Sequence, residues 1–540
     1  MRGAANKTKL NRSSDLAPDP ALSGIPIPSL EKLLSKFRKS RLTRAQALEV
    51  CRSLIKRKPA NLAAPLAALP APWADYAIAT IYAKLISPKR RKKLGAYFTP
   101  PHLVAHLVSR LATCGMDPVN DRLRDPAAGG AAFLVPLARI KVAAWRKQGI
   151  DDFEIVRRLR LQLIGREIEA DLATIANGLL RRMLTTEFNI SAALASRLRL
   201  VKVGDSLKSQ QSREAIDHEV GNPPFLRLRG DDKRSARSIF REMSTGRANL
   251  YSLFVRRALD EVPAGGLVGY VIPASFLGGP EFSSFRKRIL QLAEVLVVDI
   301  VEKRSEVFVD AIQDACFIIL RRRQQVLDLP PACAADSGVL HCDGKFVPKG
   351  TAQIGTNGSP WRLPGIELMR SAYLKDWGYK AVVGYLVSNR QTERLHKRAA
   401  KGRYPLIWAK AITTDGTFDF ERGADLREFG WADAPANAPY VIRTSCVAVQ
   451  RTSSRGQNRR LNAAAISKAF VKKHGGVVGE NHVIFLVPLS NDAATPEALA
   501  EALNHPGASA ALDRVCGSAS ISARLLETID LPMPPSSTGS

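Results

Sequence analysis

The feature that most constrains the fold of this chain is a regular alternation of short apolar runs and amphipathic segments over residues 95–323. The runs with the composition of buried strands are LQLIG (161–165), LRLVKV (198–203), LVGYVI (267–272), VLVVDIV (295–301) and CFIILR (316–321). Helical periodicity runs through HLVAHLVSRL (102–111) and NLYSLFVRRAL (249–259). This alternation predicts an α/β fold with a mostly parallel, doubly wound sheet and helices on both faces. Such sheets bind ligands beyond the carboxyl ends of their strands.

The segments on either side of this alternation have a different composition. Residues 29–90 carry helical periodicity, whereas residues 324–360 contain Pro330-Pro331 and several glycines, which are typical of a connecting loop. Beyond residue 360 the sequence is mixed and lacks a β–α rhythm. The sequence therefore predicts a flexible N-terminus (1–28), a helical N-terminal region (29–94), the α/β domain (95–323), a linker (324–360), a C-terminal domain (361–535) and a tail (536–540).

The chain carries a large excess of positive charge. Lys and Arg number 80 against 50 Asp and Glu, which gives a formal net charge of +30 over 540 residues. This excess favours a polyanionic partner, most simply nucleic acid. The alternative is that the charge reflects a proteome rich in Arg and Ala, in which case it implies no partner. The run PKRRKK (88–93) is open to both interpretations, as a solvated charge cluster or as a segment that contacts phosphates.

Cysteine usage and hydropathy argue against several other classes. The seven cysteines are scattered and form no CxxC pair, so the sequence predicts neither a disulfide framework nor a zinc site and fits a reducing cytoplasm. No apolar run approaches the roughly 20 residues that a membrane helix needs. The basic N-terminus, MRGAANKTKLNRSSD, is not followed by an apolar signal core. The expectation is a cytoplasmic protein with no metal site and no membrane segment.

Three strand ends in series carry groups that suit a nucleoside. The turn DPAAGGAAFL has small residues that let the backbone approach a ligand, but it lacks the GxGxxG spacing and the GK[ST] of a phosphate-binding loop. Glu167 ends the next strand, where a carboxylate can accept from both ribose hydroxyls. Asp205, in VKVGDSL, is placed to accept from the exocyclic amine of adenine. Singly, each also fits an ordinary turn, helix terminus or cap; together they favour a nucleoside cofactor.

The stretch GNPPFLRLRG contains the groups needed to activate an amine. The exocyclic amine of adenine or cytosine is a poor nucleophile, because its lone pair is delocalised into the ring. The Asn222 side-chain oxygen and the Pro223 carbonyl can localise that lone pair, since the two prolines hold these acceptors rigidly. Phe225 offers a ring face to a flipped base, and Arg227 and Arg229 suit flanking phosphates. The alternative for the tetrapeptide alone is a plain Asn-Pro turn.

These motifs, in this order, resemble those of the amino-group DNA methyltransferases, specifically the gamma-class N6-adenine enzymes of type II restriction–modification systems. GAYFTPPHLVAHL resembles their N-terminal cofactor motif, and DPAAGGAAFL resembles their DPACGSGAFL. GREIE, GDSL and GNPPF resemble the ribose-binding, adenine-binding and catalytic motifs, and NLYSLF and GGLVGYVIPASFL resemble the motifs that follow. The resemblance covers residues 95–323 and implies a Rossmann-like methyltransferase sheet with a helical N-terminal extension and a C-terminal target-recognition domain.

The resemblance also implies the reaction and its residues. S-adenosylmethionine would be the cofactor, and a methyl group would pass to N6 of a flipped adenine in double-stranded DNA. The implied catalytic residues are Asn222, Pro223, Pro224 and Phe225. The implied cofactor-binding residues are Tyr97, Thr99, Pro100, Asp125, Pro126, Ala127, Gly129, Glu167, Asp205 and Ser206. The implied substrate contacts in this domain are Arg227, Arg229 and, in EVFVDA, Phe308.

The C-terminal third resembles the target-recognition domain of the same family. The similar segments are AVVGYLVSNR, VIRTSCVAVQRTSSRGQNRRL, GENHVIFL and GSASISARLLETIDLP. The stretch VQRTSSRGQNRRL is basic and rich in Ser, Gln and Asn, which suit contacts with phosphates and base edges. Its first arginine, Arg451, is therefore a candidate substrate-binding residue. The alternative is a solvated polar loop.

The sequence departs from the family in the cofactor loop, where the usual Cys, Ser and second Gly are Ala128, Gly130 and Ala131. The Cβ of Ala131 is expected to crowd the methionine part of the cofactor. The alternatives are an RNA adenine methyltransferase and a non-catalytic DNA-binding subunit with a degenerate methylase fold; protein-glutamine methyltransferases share the NPP[YF] loop but are much shorter. No PD…(D/E)xK nuclease pattern is found near the N-terminus, so any endonuclease is expected to be a separate protein.

Overall fold

In the computed structural model, the chain forms two compact units. The first comprises Met1–Pro273 and Ser284–Gly358, and the second comprises Ala274–Ser283 and Ser359–Ser540. The structure describes residues 42–56, 66, 68–87, 98–208, 215–226, 249–302, 315–365, 371–452, 459–515 and 520–534. The predicted flexible N-terminus, the PKRRKK run and the predicted tail lie outside these ranges, as do four predicted site residues: Tyr97, Arg227, Arg229 and Phe308.

The first unit is built on a nine-stranded mixed sheet. Its strands are β1 (Leu123–Asp125), β2 (Leu163–Glu167), β3 (Val201–Val203), β4 (His218–Gly221), β5 (Leu267–Pro273), β6 (Ala293–Val301), β7 (Ala315–Arg322), β8 (Cys333–Leu340) and β9 (Phe346–Ile354). Their order is β3-β2-β1-β4-β5-β7-β6-β8-β9. Neighbours from β3 to β5 are parallel, whereas β7 is antiparallel to β5 and β6, and β9 to β8. The predicted α/β, Rossmann-like fold is confirmed, with antiparallel strands beside a parallel half.

The described part of the first unit also contains helices. They are α1 (Arg44–Ile55), α2 (Ala71–Leu85), α3 (Pro101–Thr113), α4 (Leu134–Lys147), α5 (Asp152–Gln162), α6 (Ala170–Glu187), α7 (Ala192–Ala195), α8 (Leu250–Glu261) and α9 (Ser283–Leu292). Helices α4, α5 and α6 contact β2, whereas α3 and α8 contact β5. The two amphipathic segments predicted from the sequence are confirmed as α3 and α8. Within the described ranges, no helix has the length and apolarity that crossing a bilayer requires.

All five apolar runs predicted as strands form strands of this sheet, namely β2, β3, β5, β6 and β7. β5 is buried along its whole length, as expected for a strand covered on both faces. β3 differs from the prediction of a buried strand, because Lys202 and Val203 are exposed and only Val201 is buried. The reason is its place at the edge of the sheet, where one side has no neighbouring strand.

Residues 324–360 are not the loop-like linker that the sequence predicts. They contain β8 and β9, a hairpin that extends the sheet beyond β6. Both strands contain Ala, Gly or Pro, which have low strand propensity, and this composition indicated a loop. The hairpin is held by its pairing with β6 and by a hydrogen bond from Ser337 Oγ to the Val298 carbonyl (2.6 Å). Tertiary pairing therefore overrides local propensity here.

The second unit takes a short segment out of the predicted α/β domain (95–323). Residues 274–283 pack with the chain that begins at Ser359. The Trp361 N–H donates to the Leu277 carbonyl (2.8 Å), and the Trp361 ring packs edge-on against Phe276 with centroids 5.2 Å apart. The chain therefore passes between the two units more than once. The composition along the sequence does not reveal these crossings.

The second unit contains two four-stranded sheets. Their strands are β10 (Tyr379–Val383), β11 (Leu395–His396), β12 (Arg403–Ile407), β13 (Trp431–Asp433), β14 (Cys446–Gln450), β15 (Ala463–Ile466), β16 (Val478–Gly479) and β17 (Val483–Pro488). The orders are β10-β17-β14-β15 and β11-β13-β12-β16, and only the β12–β16 pair among them is parallel. The described helices are α10 (Phe420–Asp425), α11 (Lys468–His474), α12 (Pro496–Asn504), α13 (Pro506–Val515) and α14 (Ala523–Leu526). This antiparallel character explains the missing β–α rhythm.

A buried ion network joins three adjacent strands of the first sheet to α8. Arg124 on β1 pairs with Glu219, which lies opposite it on β4, and with Glu261 on α8. Tyr270 on β5 donates to Glu219, and Arg257 pairs with Glu261. Burial disfavours the Arg124 cation, but the two glutamates outweigh burial and raise its pKa. The charges therefore depend on one another, because each would be costly alone in this interior.

We expect Arg124→Leu to lower the free energy of unfolding by about 3–5 kcal/mol, because it leaves Glu219 and Glu261 without their shared cation. The double variant Arg124→Leu/Glu219→Leu replaces the pair by apolar side chains and should recover most of that loss. Urea unfolding followed by circular dichroism measures both variants. A double variant no more stable than Arg124→Leu would contradict this account of the network.

Candidate functional site

The predicted site residues converge at the carboxyl-terminal edge of the parallel half of the first sheet. β1 ends at Asp125, and β2 ends at Glu167. Asp205 follows β3 by two residues, and Asn222 follows β4 directly. Because β3, β2, β1 and β4 are neighbours and parallel, all four ends lie along one edge. This is the edge at which such sheets bind ligands.

The Gly-rich loop after β1 is held in place by the end of β2. The Ala128 N–H donates to the Arg166 carbonyl (2.8 Å), and the Gly129 N–H donates to Glu167 Oε2 (2.8 Å). The other carboxylate oxygen, Oε1, accepts from the Glu169 N–H (2.9 Å). Burial raises the pKa of Glu167, while these backbone hydrogen bonds act in the opposite direction. Glu167 thus has a structural task in addition to the ligand contact predicted for it.

Asp125 begins the same loop and is almost completely buried. Burial raises the pKa of its carboxyl group well above the usual range, and the Ala127 N–H donates to its Oδ1 (3.1 Å). A Cβ on Gly221, at the end of β4, would lie 2.9 Å from the same Oδ1. The absence of a side chain at Gly221 therefore lets the ends of β1 and β4 approach closely.

Two of the three unusual positions of the loop, Gly130 and Ala131, have distinct structural features. A Cβ on Gly130 would lie 2.4 Å from the Cβ of Ala79 on α2, so this position has no room for a side chain. Ala131 has a backbone φ of 62°, in the left-handed region that glycine tolerates best. Its methyl group is buried in the main apolar core. The crowding of the cofactor expected from Ala131 stays a prediction, and the structure shows a backbone reason for glycine there.

The loop after β3 is tied to the Gly-rich loop. Ser206 is buried, and its Oγ donates to the Pro126 carbonyl (2.6 Å). Asp205 is partly exposed, and its Oδ1 accepts from the Leu207 N–H (3.0 Å). The Oδ2 of Asp205 lies 3.8 Å from Lys208 Nζ. Ser206 thus lies beside the Gly-rich loop, and the cofactor contacts predicted for Asp205 and Ser206 stay predictions.

The catalytic loop predicted after β4 is braced by two elements of the first unit. The Asn222 side-chain amide donates to Oγ1 of Thr99 (2.9 Å), which is itself buried just before α3. Phe225 packs edge-on against Tyr251 of α8, with ring centroids 6.4 Å apart and planes at 80°. Thr99 and Asn222 come from two motifs that are 123 residues apart in the chain. The structure therefore brings the N-terminal cofactor motif and the catalytic motif together.

The remaining predicted residue, Arg451, lies in the second unit. Its Nη1 donates to the Asn481 carbonyl (2.9 Å), and its backbone N–H donates to the His482 carbonyl (2.8 Å). Arg451 is partly exposed at the end of β14. Its predicted contact with a substrate stays a prediction.

Sequence reasoning missed two features of this edge. Tyr251, which supports Phe225, lies in the motif NLYSLF, but an aromatic residue on an amphipathic helix gives no sign of its partner. The Arg124–Glu219 pair lies immediately beneath Asp125 and Asn222. The sequence did contain a signal for this pair, because a charged residue in each of two buried strands requires a partner of opposite charge.

Residues 155–308 match the family model described as Eco57I restriction-modification methylase. The type II methyltransferase M.BsuBI of Bacillus subtilis is 30% identical over 100 residues, which are 18% of this chain and 20% of that protein. The type II methyltransferase M.PaeR7I of Pseudomonas aeruginosa is 28% identical over 227 residues, 39% of this chain and 38% of that protein. The chain thus covers less than half of the length of either relative.

Two solved structures share the fold of most of the chain. The type IIL restriction-modification enzyme MmeI in complex with DNA has a TM-score of 0.50 at 14% identity, over 84% of this chain and 70% of that one. The DrdV–DNA complex has a TM-score of 0.52 at 12% identity, over 85% of this chain and 57% of that one. The predicted resemblance to methyltransferases of restriction–modification systems is confirmed by the family match. The gamma class stays a prediction.

We expect Ala131→Gly to leave the free energy of unfolding nearly unchanged. The variant removes the strain of an alanine in the left-handed region, which costs about 1–2 kcal/mol. Against this, it loses one buried methyl group and gives the unfolded chain more conformational entropy. The matched control is Ala138→Gly, which is equally buried within α4 and should cost about 1–2 kcal/mol.

Gly130→Ala should cost about 1–3 kcal/mol, because its methyl group meets Ala79. Chemical denaturation of the three variants under one set of conditions tests the series. If Ala131→Gly were as destabilising as Ala138→Gly, the left-handed backbone would not be a strained feature of this loop.

Proposed function

We propose that this chain is an S-adenosylmethionine-dependent DNA methyltransferase that methylates N6 of adenine, and that it forms the modification half of a restriction–modification system. The observation that carries the proposal is the meeting of Asn222 with Thr99 at the sheet edge that also presents Asp125, Glu167 and Asp205. A nucleoside cofactor and an amine substrate would both need this edge. The family match over residues 155–308 supports the same reading.

The residues at this edge fit the proposed cofactor. A carboxylate has about four lone-pair positions, so Glu167 can accept from ribose hydroxyls while it holds the Gly129 and Glu169 N–H groups. Asp205 is partly exposed and can accept from the adenine amine. Thr99, Pro100 and the loop from Pro126 to Gly129 would enclose the rest. S-adenosylmethionine, when bound, supplies the methyl group from its sulfonium.

Asn222 and Pro223 would orient the target amine. The Asn222 amide N–H donates to Thr99, so the hydrogen bond sets the direction in which the side-chain oxygen points. That oxygen and the Pro223 carbonyl would accept the two N–H groups of the adenine amine and localise its lone pair. Because Pro223 and Pro224 restrict the backbone, the acceptors need little reorganisation when the base arrives. Phe225, braced by Tyr251, would stack on the flipped base.

The second unit is the proposed target-recognition domain, and double-stranded DNA is the proposed partner. A formal net charge of +30 supports a polyanionic partner for the whole chain. A separately encoded endonuclease would complete the system. Because a modification enzyme must reach the chromosome, we further expect the protein to act in the cytoplasm.

The first test is modification-sensitive sequencing of DNA from a methylation-deficient host that expresses the chain. We expect N6-methyladenine at one short motif and its loss with Asn222→Ala, because removing an electrostatic acceptor costs roughly 10²–10³-fold in rate. The matched control is Asn120→Ala, an exposed asparagine in the same unit, which should leave methylation intact. Normal methylation by Asn222→Ala would refute its catalytic role. Unmodified DNA beside soluble wild-type protein would shift the proposal to an RNA substrate.

Glu167→Gln should weaken the binding of S-adenosylmethionine by about 10–100-fold, since hydrogen bonds to a charged group are worth roughly 1.5–3 kcal/mol. Calorimetric titration measures this, with Glu49→Gln on the exposed face of α1 as the control. A deoxyribose analogue of the cofactor separates the two tasks of Glu167. If the carboxylate holds the ribose, wild type should prefer the cofactor over the analogue, and Glu167→Gln should lose that preference. An unchanged preference would mean that Glu167 holds only the Gly-rich loop and not the ribose.

A further inference from the structure

Two tyrosines stack face to face at the surface of the second unit. The Tyr385 and Tyr440 rings have centroids 3.9 Å apart and planes within 4° of parallel. Tyr385 is 50% exposed to solvent. Because Tyr440 covers one face of the Tyr385 ring, the exposed area includes the opposite face. A large aromatic face open to water invites a partner that buries it.

The stack is held rigidly by one arginine. The guanidinium carbon of Arg394 lies 5.9 Å from the Tyr385 ring centroid and 5.6 Å from that of Tyr440. Its Nη2 donates to the Tyr440 hydroxyl (2.7 Å) and to the Asp433 carbonyl (2.7 Å). Arg394 therefore holds Tyr440, against which the Tyr385 ring packs, and this order is present before any partner arrives, which lowers the entropic cost of a contact.

The chain around Tyr385 is strongly basic. Residues 385–403 contain six Lys and Arg residues and one acidic residue, Glu393. Of the basic residues, Arg390, Lys397, Arg398 and Lys401 are exposed, and Lys397 pairs with Glu428 (2.7 Å). A flat aromatic face among exposed cations matches a ligand that combines planar rings with negative charge. Nucleic acid has both properties, whereas an acidic peptide or a headgroup surface lacks the stacked rings.

Arg451 lies beside the same surface although it comes from a distant part of the chain. The Leu386 carbonyl, next to Tyr385, accepts from the Asn481 N–H (2.8 Å). The Asn481 carbonyl in turn accepts from Arg451 Nη1 (2.9 Å). Three segments that resemble target-recognition motifs thus meet at Asn481, which itself belongs to GENHVIFL. We call Tyr385, Tyr440, Arg390, Arg394 and Arg451 the tyrosine patch.

We propose that the tyrosine patch is a DNA-contact surface in which the exposed face of Tyr385 packs on a nucleotide while Arg390 and Arg451 contact phosphates. The inference rests on the proposed function and deepens it by placing a DNA contact in the second unit. Arg394 is a positioning residue, since its donors are engaged by Tyr440 and the Asp433 carbonyl. The patch contributes affinity through stacking and charge, which do not depend on reading one base sequence.

The test measures binding of the full chain to a fluorescein-labelled DNA duplex of mixed sequence by anisotropy, over a range of NaCl concentrations. Tyr385→Ala should weaken binding about tenfold, because it removes one half-exposed aromatic side chain, and complete burial of such a side chain is worth about 1.5–3 kcal/mol. Tyr385→Phe keeps the ring and should bind like wild type. Tyr373→Ala is the matched control, because it removes another exposed tyrosine of the same unit and should change nothing.

The arginine is tested by the salt dependence. Arg390→Gln should reduce the slope of log K against log salt concentration by about 0.9, the value for one lost phosphate contact. Arg422→Gln, an exposed arginine on α10 outside the segments that resemble target-recognition motifs, is its control and should leave the slope unchanged. Thermal unfolding of every variant shows whether weaker binding results from a packing defect rather than from a lost contact with DNA.

The outcomes separate this inference from the proposed function. Wild-type affinity in Tyr385→Ala, or a loss of affinity that only follows a lower unfolding midpoint, would overturn the tyrosine patch and leave methylation untouched. A wild-type chain that neither binds duplex DNA nor methylates it would overturn the proposed function itself. Weaker binding by Tyr385→Ala at an unchanged unfolding midpoint, together with a smaller salt slope in Arg390→Gln, supports the patch.

Discussion

The candidate site depends first on the buried carboxylate of Glu167. It accepts hydrogen bonds from the Gly129 and Glu169 N–H groups, so it connects the loop after β1 with the start of α6. A buried carboxylate is costly unless its oxygens are hydrogen-bonded, and these bonds are therefore part of the folded state. Once the Gly-rich loop is placed in this way, Ser206 can reach the Pro126 carbonyl and bring the loop after β3 to the same point.

The network beneath this edge acts on its geometry more than on its stability. An ion pair in the interior contributes less than apolar side chains of the same volume would. Arg124 and Glu219 nevertheless stand opposite each other on β1 and β4, directly before Asp125 and shortly before Asn222. A shift in register between these strands would separate the charges. The pair therefore disfavours register shifts between β1 and β4, the strands that precede the Gly-rich loop and the predicted catalytic loop.

Much of the first unit could be predicted because its signals are local. Each of the five apolar runs became a strand, and the strand ends carried the polar residues that the motifs indicated. The hairpin of β8 and β9 could not be predicted, since its strands contain residues of low strand propensity and are held by pairing with β6. The crossing of residues 274–283 into the second unit was equally hidden, because it depends on contacts such as Trp361 with Leu277. The Thr99–Asn222 hydrogen bond joins two motifs whose sequences contain no sign of their contact.

One departure of the Gly-rich loop from the family pattern, Gly130, has a packing cause in the helical N-terminal region. Helix α2 brings Ala79 so close to the loop that a serine at position 130 would collide with it, and only glycine fits. Burial of the Ala131 methyl group contributes about 0.8 kcal/mol, which offsets part of the cost of its left-handed backbone. The loop and α2 therefore form one packed unit and must be compared with the family together. This packing accounts for Gly130 but not for Ala128 or Ala131, and Glu167 holds Gly129 in spite of all three departures.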